Sequence, residues 1–383
     1  MDGAIISSVQ QQETAEKRQR LKAFMERNQL DGLIIARQNN FAWATGGGSN
    51  WVGIASETGA AYLVYTAQGK DYAVLDNIEG PRYADEERLE ELGFEIVLRD
   101  WWDSADNKRL KMLDVAGGVN KSIGADVALE NTFNVGQALL RERWSLTSHE
   151  CERYREVGRL SGEALETVAA GLQPGLTEWE IAGRLAQASY SRGLTPFVTL
   201  IAADERVWQY RHPIPTTKKL EKYAMLVLCA RKGGLIASCT RQVHFGPLPQ
   251  DLAQRHAATQ RIDAAFNLAT RPGVIVRDIF GTGMTHYAAA GFPDEWQLHH
   301  QGGATGYEAR EYFATPDTEE VVLDWQAFAW NPSITGTKCE DTILVSNERG
   351  HEVITAGPGW IWPKTKVEIE GLGVMARPDI LEM

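Results

Sequence analysis

Residues 299–311 read His-His-Gln-Gly-Gly-Ala-Thr-Gly-Tyr-Glu-Ala-Arg-Glu, and residues 331–342 read Asn-Pro-Ser-Ile-Thr-Gly-Thr-Lys-Cys-Glu-Asp-Thr. Between them lies the apolar run Gln326 to Trp330, and Thr342 to Val345 follows as a second. Short apolar runs bounded by Gly, Pro and Asn read as strands, and the glycine pair after Gln301 reads as a turn. Upstream, Phe197 to Ala202, Met225 to Ala230 and Leu235 to Phe245 add three strands, with Lys232-Gly233-Gly234 as the hairpin turn between the last two. Helices alternate with these runs. Ser148 caps one whose apolar face carries Val157, Leu160, Ala164, Leu165 and Val168, and Gln173-Pro174-Gly175 stops it. Thr177-Glu178-Trp179-Glu180 opens another, and a third runs from about Leu252 to Leu268. The unit over residues 147–383 is therefore α+β with a largely antiparallel sheet.

Residues 1–146 read as a smaller α/β domain. A charged helix over Gln10 to Leu30 places Leu21, Phe24 and Met25 on one face, and Asp31-Gly32 turns into the strand Leu33 to Ala36. Further strands follow at Ala60 to Thr66, Tyr72 to Leu75 and Phe94 to Leu98. With 383 residues, 43% hydrophobic and 23% charged, the chain can bury a core in each unit.

Bulk properties narrow the partners. A formal net charge of −12 supplies no positive field for phosphates, which argues against nucleic acid. No apolar run approaches the ~18 residues of a membrane span, and the stretch from Met1 lacks the charged-then-apolar pattern of a signal peptide, so a cytoplasmic protein is expected. Cys151, Cys229, Cys239 and Cys339 have no metal-binding spacing and read as reduced, buried thiols.

Taken in order, Gln173-Pro174-Gly175-Leu176-Thr177-Glu178, Arg211-His212-Pro213, Thr240-Arg241, His299 to Gly303, Arg310-Glu311, Asn331-Pro332 and Glu340-Asp341-Thr342 resemble the pita-bread family that includes methionine aminopeptidase, proline dipeptidase, aminopeptidase P and creatinase. In the first domain, Asn40 to Gly46 resembles a strand and turn of the creatinase N-terminal domain. The resemblance implies a creatinase-like α/β domain before a pita-bread domain. It also implies a homodimer in which the N-terminal domain reaches the partner's site.

Metallopeptidases of this family hold two divalent ions with two Asp from a hairpin, one His and two Glu, because hard cations need anionic oxygens around a shared water. Counted onto this chain, the hairpin positions fall at about Ser238 and at Val227 to Cys229. No Asp or Glu occurs between Lys222 and Gln250. His299 takes the His position, with His300 as the alternative. Asn331 replaces one Glu and Glu340 keeps the other. The expectation is an enzyme without metal or other cofactor.

Creatinase implies the remaining chemistry, since it cleaves a C–N bond on this fold without a metal. His212 matches its catalytic histidine, and a neutral imidazole can take a proton from water and return it to a leaving nitrogen. The reading is a metal-independent hydrolase of a C–N bond in a small polar metabolite, with His212, His299, Glu340 and Asn331 catalytic. Arg310, Tyr307, His300 and Trp208 are the expected substrate contacts, Arg310 as a carboxylate clamp. Competing readings are an Xaa-Pro-type metallopeptidase, a metal-free lyase, which would incorporate no solvent oxygen, and a non-catalytic binding protein.

Overall fold

The computed structural model describes residues 8–356 and 362–383; Met1 to Ser7 and residues 357–361 lie outside it. Chain packing divides it into two units, one of Met1–Arg143 with Thr147–Glu150 and the other of Trp144–Leu146 with Cys151–Met383.

The first unit is α/β. Its six strands are β1 (Gly32–Arg37), β2 (Thr58–Thr66), β3 (Asp71–Asp76), β4 (Phe94–Arg99), β5 (Ile123–Ala125) and β6 (Phe133–Asn134), in the order β4-β3-β2-β1-β5-β6. The central β1 pairs antiparallel with β2 and parallel with β5. Central strands need both faces covered, and the uninterrupted apolar run at Leu33 to Ala36 is buried throughout. Asn40 to Ala44 is not a strand but lies in a helix, Gln38–Ala44, whose Phe41, Ala42 and Trp43 are buried. The Gly46-Gly47-Gly48 run follows the end of this helix.

The second unit packs helices against two larger sheets and has two further two-stranded ladders. Strands β7 (Thr195–Ala203), β8 (Tyr223–Lys232) and β9 (Leu235–His244) form a meander. The chain then runs through β10 (Gly302–Thr305), β11 (Tyr312–Phe313), β12 (Gln326–Trp330), β13 (Ser333–Ile334), β14 (Thr337–Lys338), β15 (Asp341–Ser346) and β16 (Gly350–Val353). It ends in β17 (Lys364–Ile369), β18 (Gly373–Pro378) and β19 (Leu381–Glu382). One sheet has the order β19-β9-β8-β7 and the other β11-β10-β12-β15-β16. Apart from the parallel β19–β9 edge, the ladders within both are antiparallel.

Gly233 and Gly234 turn the β8–β9 hairpin with φ of 54° and 81°, the two-residue geometry with both central residues at positive φ. The register that follows sets Cys229 opposite Ser238 and Val227 opposite Thr240. All ten residues of β9 are buried. Gly302 has φ +101°, and a Cβ there would meet the Ala329 carbonyl oxygen at 2.2 Å, so the second glycine motif is what lets β10 lie on β12. The apolar core beside this sheet stacks Trp330 between Phe266 and Phe328, with centroids 4.6 and 5.9 Å apart. A helix at Val276–Ala289, which the sequence reading passed over, packs Ile279 and Phe280 into that core. No described helix is long and apolar enough to cross a membrane.

Candidate active site

A cavity of about 350 Å³ opens in the second unit. Val198, Leu200, Val227 and Cys229 line it from the meander; Arg310, Phe313, Asn331, Lys338 and Glu340 line it from the later segments. Strand-like alternation explains part of this grouping, because residues two apart share a face. Lys338 and Glu340 therefore reach the cavity together, and Asp341 does not. The β9 edge meets the 340–342 segment through Thr240 N–H donating to the Glu340 carbonyl (3.1 Å) and Ser238 N–H donating to Thr342 Oγ1 (2.8 Å).

Glu340 is the hub. Its Oε2 accepts from Thr240 Oγ1 and takes the Lys338 ammonium, each at 2.8 Å, and its Oε1 accepts from Arg310 Nη2 at 3.1 Å. Burial alone would raise its pKa, but Lys338 and Arg310 outweigh that and hold it down to about 2. Glu340 thus stays ionised, and its charge is already balanced by Lys338 and Arg310.

Three histidines converge nearby. The donor atoms of His212, His299 and His300 all lie within 4.8 Å of one another. His299 Nε2 meets His212 Nε2 at 3.1 Å, and His299 Nδ1 meets Ser333 Oγ at 3.2 Å. In the tautomer set where His212 Nε2–H donates to His299, the lone pair of His212 stays on Nδ1. Burial, reinforced by Lys338, lowers the pKa of His212 and drives that of His299 far below the ordinary imidazole value. Burial and then Arg310 bring His300 down to about 3. All three are neutral at pH 7.

The residues do not fit a pair of hard divalent cations. At the hairpin positions the structure presents the Cys229 thiol and the Ser238 hydroxyl, and Ser238 Oγ donates to Cys229 Sγ at 3.2 Å. Burial raises the Cys229 pKa, which keeps it a thiol. Asn331 is neutral, and Glu340 is already neutralised by protein cations. Three imidazoles are a zinc-type donor set. Lys338, however, acts electrostatically on all three histidines and opposes a cation there.

The expected site residues divide into two groups. His212, His300, Arg310, Asn331 and Glu340 line the cavity. His299 lies outside the lining, buried behind His212. Tyr307 is buried with its hydroxyl accepting from Arg153 Nη2 at 3.1 Å, and Trp208 packs on Gly336 beneath the Arg255 guanidinium. Neither aromatic lines the cavity, because each is already used in packing. Lys338 is the site residue that the sequence reading missed; its two-residue spacing from Glu340 in an extended segment was the available signal.

The family profile described as "Metallopeptidase family M24" matches residues 152–347, and that described as "Creatinase/Prolidase N-terminal domain" matches residues 17–164. The uncharacterized peptidase YqhT of Bacillus subtilis (strain 168) is 21% identical over 350 residues, which cover 86% of this chain and 94% of the relative. Among solved structures, the Xaa-Pro dipeptidase from Bacillus anthracis superposes with a TM-score of 0.76 at 17% identity, covering 97% of this chain and 100% of that one. Dipeptidase PepE from Mycobacterium ulcerans gives 0.74 at 20% identity, over 91% and 97% of the two chains. At these identities the structural likeness is one of fold.

Proposed function

The chain belongs to metallopeptidase family M24, and from that premise we propose that its cavity hydrolyses a C–N bond in a small polar molecule without the dinuclear metal chemistry of the family's peptidases. The observation that carries this reading is the engagement of Glu340 by Lys338, Arg310 and Thr240, together with a hairpin whose Cys229 and Ser238 bond to each other. Hydrolysis on this set starts with His212 taking a proton from water. The water oxygen adds to the substrate's acyl carbon, and the Asn331 carboxamide donates to the oxyanion that forms. The C–N bond then breaks, and the imidazolium of His212 returns its proton to the departing nitrogen. His299 is a positioning residue, since it acts through its bond to His212. Arg310 and Lys338 bind the substrate's charge.

The test is turnover of a panel of small amides by the purified chain, before and after chelation, beside His212→Ala. Chelation is expected to leave activity unchanged. His212→Ala is expected to remove roughly 10²–10⁴-fold of kcat/KM, the usual contribution of a general acid–base, with an unchanged melting temperature. Because the His212 pKa is lowered, the base stays neutral as pH falls, and the acid limb of kcat/KM should lie below about 6.5. Loss of turnover on chelation, restored by manganese or zinc, would refute the proposal. That outcome would support a second reading, an Xaa-Pro-type metallopeptidase, which the names of the similar proteins favour.

A further inference from the structure

Three polar atoms in the cavity wall have no hydrogen-bonding partner among the described residues: Arg310 Nε, Asn331 Oδ1 and His300 Nδ1. All three residues line the same cavity. The Arg310 side chain is 7% exposed and Asn331 2%, so bulk solvent does not serve them well. Buried polar groups in folded proteins are nearly always paired, so unpaired atoms on three residues that line one cavity point to a ligand whose arrival completes their bonding.

The set has a definite polarity. Arg310 Nε offers a donor, and the Lys338 ammonium carries three N–H bonds, of which Glu340 takes one. Asn331 Oδ1 offers an acceptor. Arg310 and Lys338 share one carboxylate, Glu340, which leaves one positive charge in excess. Glu308 is also in the lining and acts on the Arg231 guanidinium, so the positive excess is local to Arg310 and Lys338 around Glu340.

Resting on the hydrolase reading above, we infer that the cavity is built for an N-acyl amino acid: a small anion whose carboxylate meets Arg310 and Lys338 and whose secondary amide N–H meets Asn331. An Xaa-Pro dipeptide fits poorly, because its imide nitrogen has no hydrogen to give Asn331. A guanidino acid fits poorly too, because its cation needs a free carboxylate and Glu340 is engaged. Hydrolysis would place the water oxygen on the acyl carbon and release the amino acid, its nitrogen protonated from His212.

Dissociation constants for N-acetylalanine, alanylproline and guanidinoacetate, measured by calorimetry on the full chain, test the assignment. Turnover is followed separately by release of primary amine. N-acetylalanine should bind at least ~10-fold more tightly than the other two, and Lys338→Gln should weaken it by ~10-fold or more while Lys338→Arg restores it, as expected for a charge-assisted hydrogen bond. Should Lys338→Gln fail to fold, Asn331→Leu takes its place with the same expectation. Equal or tighter binding of alanylproline or guanidinoacetate, no binding of N-acetylalanine, or indifference to the substitution overturns the inference. Selective binding without release of amine leaves the ligand class standing and defeats only the hydrolase reading.

Discussion

Glu340 and Asp341 are consecutive carboxylates that serve two separate ion clusters. Asp341 Oδ1 accepts from Arg241 Nη2 (3.1 Å) and Thr355 Oγ1 (2.7 Å), while Oδ2 accepts from Arg377 Nη2 (2.8 Å). Arg241 also pairs with Glu166, and Arg377 with Asp263. This core cluster sets three carboxylates against two guanidiniums, whereas the cavity cluster sets two cations against Glu340. Burial pushes Asp263 up to about 6, so in mild acid its carboxyl keeps a proton and the core's imbalance is relieved. The cavity cluster leaves a cation in excess beside Glu340, and unpaired atoms on the residues that line it. Similar side chains, one residue apart, thus hold a fold together on one face and await a ligand on the other.

The largest expected effect separates the two carboxylates. Asp341→Asn strips the shared partner from two fully buried guanidiniums and should cost about 3–5 kcal/mol in chemical denaturation. Glu340→Gln leaves its cations beside a cavity that water or a buffer anion can enter, and should cost roughly 1–2 kcal/mol. Equal losses would mean that both clusters are structural, and the distinction would collapse.

A smaller effect separates them by pH, with opposite signs. Asp263 has a raised native pKa, so its stabilisation is complete below the unfolded value near 4 and is lost as pH rises toward about 6. His299 has a depressed native pKa, so its contribution is complete above about 6.5 and is lost as pH falls, because the unfolded chain takes up a proton that the native site refuses. Each slope is about 1.4 kcal/mol per pH unit for a single group. His299→Asn should therefore flatten the loss of stability on the acid side of 6.5. Asp263→Asn should abolish the opposing trend between about 4 and 6. Unfolding curves at half-unit steps from pH 4 to 8 would reveal it, and identical profiles in both variants would contradict the assignment.

What could be read beforehand follows the range of the interactions. The hairpin and its turn rest on local glycines, and the missing carboxylates between Lys222 and Gln250 are plain in the chain itself. The capping box at Thr177 and Glu180 is equally local. The helix at Val276–Ala289 was obscured by Gly281, Thr282 and Gly283, poor helix formers that its packing on Phe266 overrides. The unpaired atoms of Arg310 and Asn331 were not legible at all. They depend on which side chains the β9 edge and the 340–342 segment bring within reach of each other, and that register is set across about a hundred residues.

The smallest effect concerns the hairpin beside the cavity. If Cys229 and Ser238 only close the hairpin, Ser238→Ala removes one hydroxyl-to-thiol hydrogen bond and should cost no more than about 1 kcal/mol, sulfur being a weak acceptor. Turnover should stay within about twofold, since electrostatic work in the cavity falls to Arg310, Lys338 and Asn331 on its other wall. A tenfold or greater fall in kcat/KM with stability intact would bring the hairpin hydroxyl into the chemistry. The two walls would then share the reaction, as they do not if Ser238 merely holds Cys229 in place.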